Sequence, residues 1–240
     1  MQQRPTRESL PDPFKTWSLP IPIVAARREL HVCGVPVELV LFPDRAARRA
    51  AANQVLRPDR APTILAQEAL WRSAVPAAVL TPNRYPFAAA ASILWSERVE
   101  REARAELVAL ALELAEPHGG TVLMNTIGAA ATLPRAHLHL TAERLTFLSR
   151  LPCRPAAPAL LGLAPDDAAL GGVQCVQLAA PFPGLVLGVR GDRPARARAA
   201  SRLLELRATP AVNLVSDGET TWIAPRRTET PAPWYPAPLG

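Results

Sequence analysis

Asn125-Thr-Ile-Gly-Ala-Ala-Ala-Thr-Leu-Pro-Arg-Ala-His137-Leu-His139-Leu-Thr141 reads as a loop of small residues running into a strand. Side chains at i and i+2 of a strand share a face. His137, His139 and Thr141 therefore project together, while Leu138 and Leu140 turn toward the core. The chain has four histidines and places two of them here. Thr121 to Asn125 reads as a strand just before the loop, and its pairing with the histidine strand brings Asn125 close to the imidazoles.

Working outward, Glu29 to Cys33 and Val35 to Phe42 are expected strands with Gly34 at their turn. Asp44 opens an expected helix to Leu56, and a second short helix is expected over Thr63 to Arg72. Ala77 to Leu80 and Ala91 to Trp95 read as strands around the loop that holds Asn83 and Phe87. Ser96 is the expected cap of a helix from Glu97 to Glu116, in which Val99, Leu107, Leu110 and Leu114 recur at helical spacing. Further on, Val173 to Leu178 and Leu185 to Val189 read as a strand pair. Asp192-Arg-Pro194 opens a helix to about Arg207. Ala211 to Ser216 and Glu219 to Ala224 form a hairpin around Asp217-Gly218. Hairpins mixed with a few helices indicate an α+β fold with a mostly antiparallel sheet and flanking helices. No internal repeat is legible. The expected organisation is an extended arm over 1–22, one domain over 23–227 with a sub-boundary near 151–172, and a proline-rich tail over 228–240.

The formal net charge is +6 and the isoelectric point about 10.2, carried almost wholly by arginine, with Lys15 the only lysine. A basic chain can bind nucleic acid. The arginines are dispersed, however, and aromatics make up only 5%. Nucleic acid is therefore an unlikely partner, and small phosphorylated molecules fit the charge as well. Arg45, Arg48 and Arg49, and likewise Arg196, Arg198 and Arg202, read as solvated helix faces. Cys33, Cys153 and Cys175 lie far apart with no C-x-x-C spacing, which argues against a disulfide framework or a cysteine zinc site. The chain shows no signal peptide and no uninterrupted membrane span, so a cytoplasmic protein is expected.

The histidine pair admits three readings. Each ring can be structural, held by a backbone or side-chain partner. H-x-H can supply two ligands of a metal site, with His31, His118 or Glu143 as the third, although none stands at a persuasive spacing. Or one imidazole can attack phosphorus, being neutral near pH 7 and nucleophilic without an added base. The small loop residues would then let backbone N–H groups approach phosphate oxygens closely.

Four segments in order resemble the histidine triad superfamily, in the branch of galactose-1-phosphate uridylyltransferase, diadenosine tetraphosphate phosphorylase and GDP-hexose phosphorylases. Asn83-Arg-Tyr-Pro-Phe87 resembles its nucleoside-pocket segment, and Asn125 with the loop resembles its asparagine and phosphate loop. Ala136-His137-Leu-His139-Leu resembles the H-x-H core. Val212-Asn213-Leu-Val-Ser with Trp222-Ile-Ala-Pro225-Arg226 resembles a C-terminal segment of the phosphorylases. The resemblance implies a HIT-like fold and a nucleotidyltransferase or phosphorylase acting on a nucleoside-diphosphate sugar or dinucleoside polyphosphate. It implies His139 as the nucleophile that carries the nucleotidyl group, with His137 orienting it. Asn83 and Phe87 would line base and ribose, and Asn125 would meet the phosphate or ribose side. Thr132 is the only hydroxyl in the Ala129-Ala-Ala-Thr-Leu-Pro-Arg135 stretch before the motif. Arg135, added just before the motif, either offers a positive charge to phosphate or faces solvent. Thr141 stands where the family carries a third histidine or a glutamine that donates to phosphate. No cofactor and no metal are implied. The acceptor would be phosphate or a sugar phosphate, no membrane is involved, and a homodimer is an expectation from the family's habit. The alternative is a catalytically altered protein, either a nucleotide-binding module or an enzyme of specialised metabolism with an unusual phosphorylated substrate.

Overall fold

The computed structural model of the chain describes residues 10–14, 23–43, 61–84, 86–88, 90–100, 102–126, 129, 135–157, 159, 164, 166–182, 184–206, 209 and 211–226. The expected helix from Asp44 to Leu56, with Arg45, Arg48 and Arg49, lies outside these residues, as do Thr132 and the 228–240 tail. Two strands, β1 (Ala26–Val32) and β2 (Val35–Leu41), form a separate antiparallel hairpin. Cys33 and Gly34 turn it with φ of 53° and 76°, the left-handed pair that matches the twist of a two-residue hairpin. Helix α1 (Ala61–Gln67) then leads into a ten-stranded sheet.

The sheet contains β3 (Trp71–Ala74), β4 (Ala77–Pro82), β5 (Ala91–Ser96), β6 (Thr121–Asn125), β7 (His137–Thr141), β8 (Cys153–Pro155), β9 (Val173–Leu178), β10 (Leu187–Gly191), β11 (Ala211–Ser216) and β12 (Thr220–Arg226). All neighbours in it run antiparallel, in the order β3-β4-β5-β7-β6-β11-β12-β10-β9-β8. Helix α2 (Ala105–Ala115) joins β5 to β6, and helix α3 (Arg193–Glu205) joins β10 to β11. The order contains a duplication invisible in the residues. Three strands, a helix and a hairpin give β3-β4-β5-β7-β6, and the same connectivity repeated gives β8-β9-β10-β12-β11. The two halves meet along β6 and β11, where Asn125 faces Asn213.

Alternation divides the sheet into two faces. Leu80, Leu94, Val122, Met124, Leu138, Leu140, Leu214 and Ile223 form one core with Leu107, Val108, Ala111, Leu114, Ala197 and Ala200 of the two long helices. In the first half the other face carries Trp95, Ile93, His137, His139 and Leu123. In the second half it is filled, because Trp222 packs with Val35, Leu151, Val176, Leu178 and Val186. Gly188 makes room for that indole, since a Cβ there would lie 2.8 Å from the ring.

Three local expectations are corrected. Helix α2 begins at Ala105 rather than Glu97. The Ser96 hydroxyl does accept the Arg98 amide, yet Glu100 gives its carbonyl to the Ala136 amide. The backbone of 96–100 is thus committed to the approach to β7, and Val99 is 83% exposed. Trp71 and Arg72 belong to β3 rather than to a helix ending at Arg72. They pair with Leu80 and Val79 across a tight turn, and this pairing outweighs helix propensity. Arg196 is buried rather than solvated. Its guanidinium meets Glu116 at 2.7 Å, Ser216 at 3.0 Å and the Gly191 carbonyl at 3.1 Å. Glu116 follows α2 directly, so this pair joins the two helices.

Losing Arg196 removes a buried partner of Glu116, which then keeps only Arg193 at 3.0 Å and the Ser216 hydroxyl at 3.2 Å, and a buried ion pair broken in this way costs up to about 3–5 kcal/mol. Arg196→Ala is expected to lower stability by that amount in urea unfolding. Arg198→Ala, on the exposed side of the same helix, is expected to change it by less than about 0.5 kcal/mol.

Candidate functional site

The middle of β7 is held from both sides. His137 pairs with Trp95 and His139 with Ile93 on β5, and His139 also pairs with Leu123 on β6. Leu138 and Leu140 are fully buried on the helix side, which forces both histidines onto the opposite face. The rings stand edge to face with centroids 5.2 Å apart. His137 is buried at 7% exposure, whereas His139 is half-buried.

His137 is positioned by three contacts. Its ring stacks on Trp95 at 4.9 Å with a 28° interplanar angle. The Trp95 indole N–H donates to Thr81 Oγ1 at 2.8 Å. The His137 Nδ1 lies 2.7 Å from the Arg135 carbonyl. A carbonyl only accepts, so Nδ1 carries the proton and Nε2 of the neutral ring keeps its lone pair. Burial pushes the His137 pKa below its ordinary value, and the Arg135 carbonyl opposes this more weakly.

That direction has a consequence for stability. Above pH ~6.5, the ordinary value, the folded and unfolded states are both neutral at this ring. Below it, the unfolded imidazole takes up a proton that the folded one refuses, so stability falls as the pH drops. The loss levels off once the pH is below the folded-state pKa. Thermal unfolding between pH 7.5 and 5 is expected to show this decline, and His137→Phe is expected to flatten it.

The structure brings Phe87 to this face, its ring 6.0 Å from that of His139. Asn83 lies 4% exposed at the end of β4, its amide N–H donating to the Ala91 carbonyl at 3.0 Å. Asn125 stands half-buried at the far end of β6. Its Oδ1 accepts from Asn213 Nδ2 at 2.6 Å, and Asn213 Oδ1 accepts from Arg226 at 3.2 Å. Two expected residues are buried. Arg135 is 5% exposed, and its guanidinium donates to the Glu97 carbonyl at 3.4 Å, so it does not face solvent. Thr141 is fully buried, with its hydroxyl accepting the Glu143 amide at 3.2 Å.

Of the residues considered as third metal ligands, His118 sits beside Phe14 and Asp12 beyond α2, and His31 sits on the separate hairpin. Among the described residues no three His, Cys, Asp or Glu side chains group as metal ligands. The three cysteines are free thiols. No helix among the described residues is long and apolar enough to cross a membrane.

Sequence reading did not single out Trp95, and it gave Asn213 and Arg226 no role. The signal for Trp95 is its parity. Trp95 and Ile93 are two apart, so pairing β5 with the histidine strand sets an indole against an imidazole.

No protein-family model and no curated protein sequence matches the chain. Its fold does match solved structures. Yeast Ap4A phosphorylase Apa2 in complex with AMP aligns with a TM-score of 0.52 and 13% identity, over 87% of this chain and 73% of that one. A second structure of the same yeast enzyme gives a TM-score of 0.49 and 14% identity, over 94% and 80%. A GALT-like protein from Arabidopsis thaliana gives 0.43 and 12%, over 66% and 78%. At such identities the likeness is one of fold, and the chain shares the α+β architecture of the yeast phosphorylase.

Proposed function

We propose that this chain is a nucleotidyltransferase or phosphorylase that acts on a nucleoside-diphosphate sugar or a dinucleoside polyphosphate through a covalent nucleotidyl-His139 intermediate. The observation that supports this best is the grouping of His139, neutral His137 and Phe87 on one sheet face, with Asn125 on the neighbouring strand. A ring nitrogen of His139 attacks the α-phosphorus, and the N–P bond forms as the bridging P–O bond breaks. The departing sugar phosphate, or the nucleoside polyphosphate in the case of a dinucleoside polyphosphate, leaves with that electron pair. An oxygen of the acceptor phosphate then attacks the same phosphorus, and imidazole leaves with its lone pair restored. Phe87 offers an apolar surface to the nucleoside, and backbone N–H groups and Asn125 offer donors to phosphate.

The test is intact-mass spectrometry of the protein incubated with ATP, Ap4A, UDP-glucose and GDP-mannose. An acid-labile increment of one nucleoside monophosphate is the expected result. No increment and no turnover across this panel would refute the reading. One observation favours a second reading, a nucleotide-binding module without turnover: Thr141 is fully buried where a phosphate donor would be needed. Thermal stabilisation by nucleotides with neither adduct nor product would establish that alternative.

A further inference from the structure

The polar chain along the seam between the two halves fixes the direction in which Asn125 can act. An amide side chain donates from nitrogen and accepts at oxygen, and its orientation is assigned from its neighbours. Asn213 has two neighbours of a single kind. Arg226 only donates, so the Asn213 atom 3.2 Å from it is Oδ1. The Ala129 carbonyl only accepts, so the Asn213 atom 2.9 Å from it is Nδ2. The same Nδ2 lies 2.6 Å from Asn125, so the Asn125 atom it meets is Oδ1. The acceptor of Asn125 is thereby turned toward β11 and engaged. Its NH2 group is turned away from β11, with two hydrogens to give.

Asn125 stands on β6 between β11 and the histidine strand. Thr126 closes the seam beyond it, because its hydroxyl donates to the Val212 carbonyl and accepts the Val212 amide. Successive hydrogen bonds in one direction polarise one another, and here the series begins at the Arg226 cation. Donors at the end of such a chain suit an anionic oxygen better than a ribose hydroxyl or a base edge.

We propose that Asn213 and Arg226 are positioning residues that hold Asn125 as a donor to a phosphate oxygen of the nucleotide bound beside His139. The proposal rests on the nucleotide-processing reading above. Asn213→Asp tests it, because the new carboxylate keeps the Arg226 partner and can only accept from Asn125. The Asn125 amide then turns round and presents its oxygen to the ligand. Titration calorimetry with ADP, UDP and GDP, and with adenosine, uridine and guanosine, reads the outcome. Asn213→Asp is expected to weaken the diphosphate bound by the wild type about 10- to 100-fold and to leave its nucleoside within about twofold. Should that variant not fold, Arg226→Leu is expected to give a selective loss of the same kind, which Arg226→Lys restores. Unchanged diphosphate binding, or an equal loss for diphosphate and nucleoside, overturns the proposal alone. A wild type that binds none of the six ligands overturns the nucleotide reading and this proposal together.

Discussion

His139→Ala is expected to abolish the nucleotidyl adduct and to lower turnover by about 10³-fold or more. The argument begins with the strand. Backbone pairing to Ile93 and Leu123 holds position 139 from both sides, and the side chain is half-buried on the face away from the helical core. Alanine there costs at most about 1 kcal/mol of strand preference, so the fold survives and the loss is chemical. Circular dichroism and thermal unfolding close to wild type, with no mass increment, are the expected pair of results. His137 does not take over the attack at no cost, because its ring is buried and pinned on Trp95. A His139→Ala protein that turns over at the wild-type rate would refute the assignment.

The elements that sequence conveyed well are those where a single period or a single cap decides. Strand β7 runs from His137 to Thr141 as alternation required, because Leu138 and Leu140 have only one face to bury. Asp192 caps α3 by accepting the Ala195 amide at 2.7 Å, with Pro194 in the first turn. Asp217-Gly218 turns the last hairpin, with Asp217 Oδ1 taking the Thr220 amide. The errors fall where a distant partner decides. The 97–100 segment has helical composition, yet the Glu100 carbonyl is taken by the amide of Ala136, which lies more than thirty residues away in the chain. Arg196 looks like one of several surface arginines, and only the approach of Glu116 buries it.

The duplicated half-sheet is hidden for a related reason. Connectivity repeats, but the residues in equivalent places differ. β12 carries Trp222 and Ala224 on the face where β7 carries its histidines. The candidate site was legible to the extent that it lies on one strand and its flanking loop. The parts that reach across the sheet, Trp95 behind His137 and Asn213 behind Asn125, depend on register. Register is a property of paired strands and cannot be read from either strand alone.

Trp95 sets the second large effect. The indole is 1% exposed, packs with Ala61, Leu65 and Val79, stacks on His137 and donates to Thr81. Trp95→Ala is expected to cost about 3–5 kcal/mol of stability, read as a lower urea midpoint. Stability alone would not separate packing from positioning, so the informative readout is the titration of His137. Burial is what holds its pKa down. The cavity left by the indole admits water, and the pKa then moves up toward its ordinary value. An orienting ring that works in its neutral form is lost to protonation earlier as the pH falls. The acid limb of the activity profile in Trp95→Ala is therefore expected at higher pH than in the wild type, and the imidazole NMR titration of His137 is expected to move with it. Trp95→Phe keeps an aromatic face against the imidazole while forfeiting the bond to Thr81 and part of the buried ring volume, so its acid limb is expected to stay near that of the wild type. If Trp95→Ala unfolds the chain, the same comparison holds between Trp95→Phe and Trp95→Leu, the latter filling space without a ring. An acid limb that does not distinguish the aromatic from the aliphatic replacement would reduce Trp95 to a core residue with no part in positioning His137.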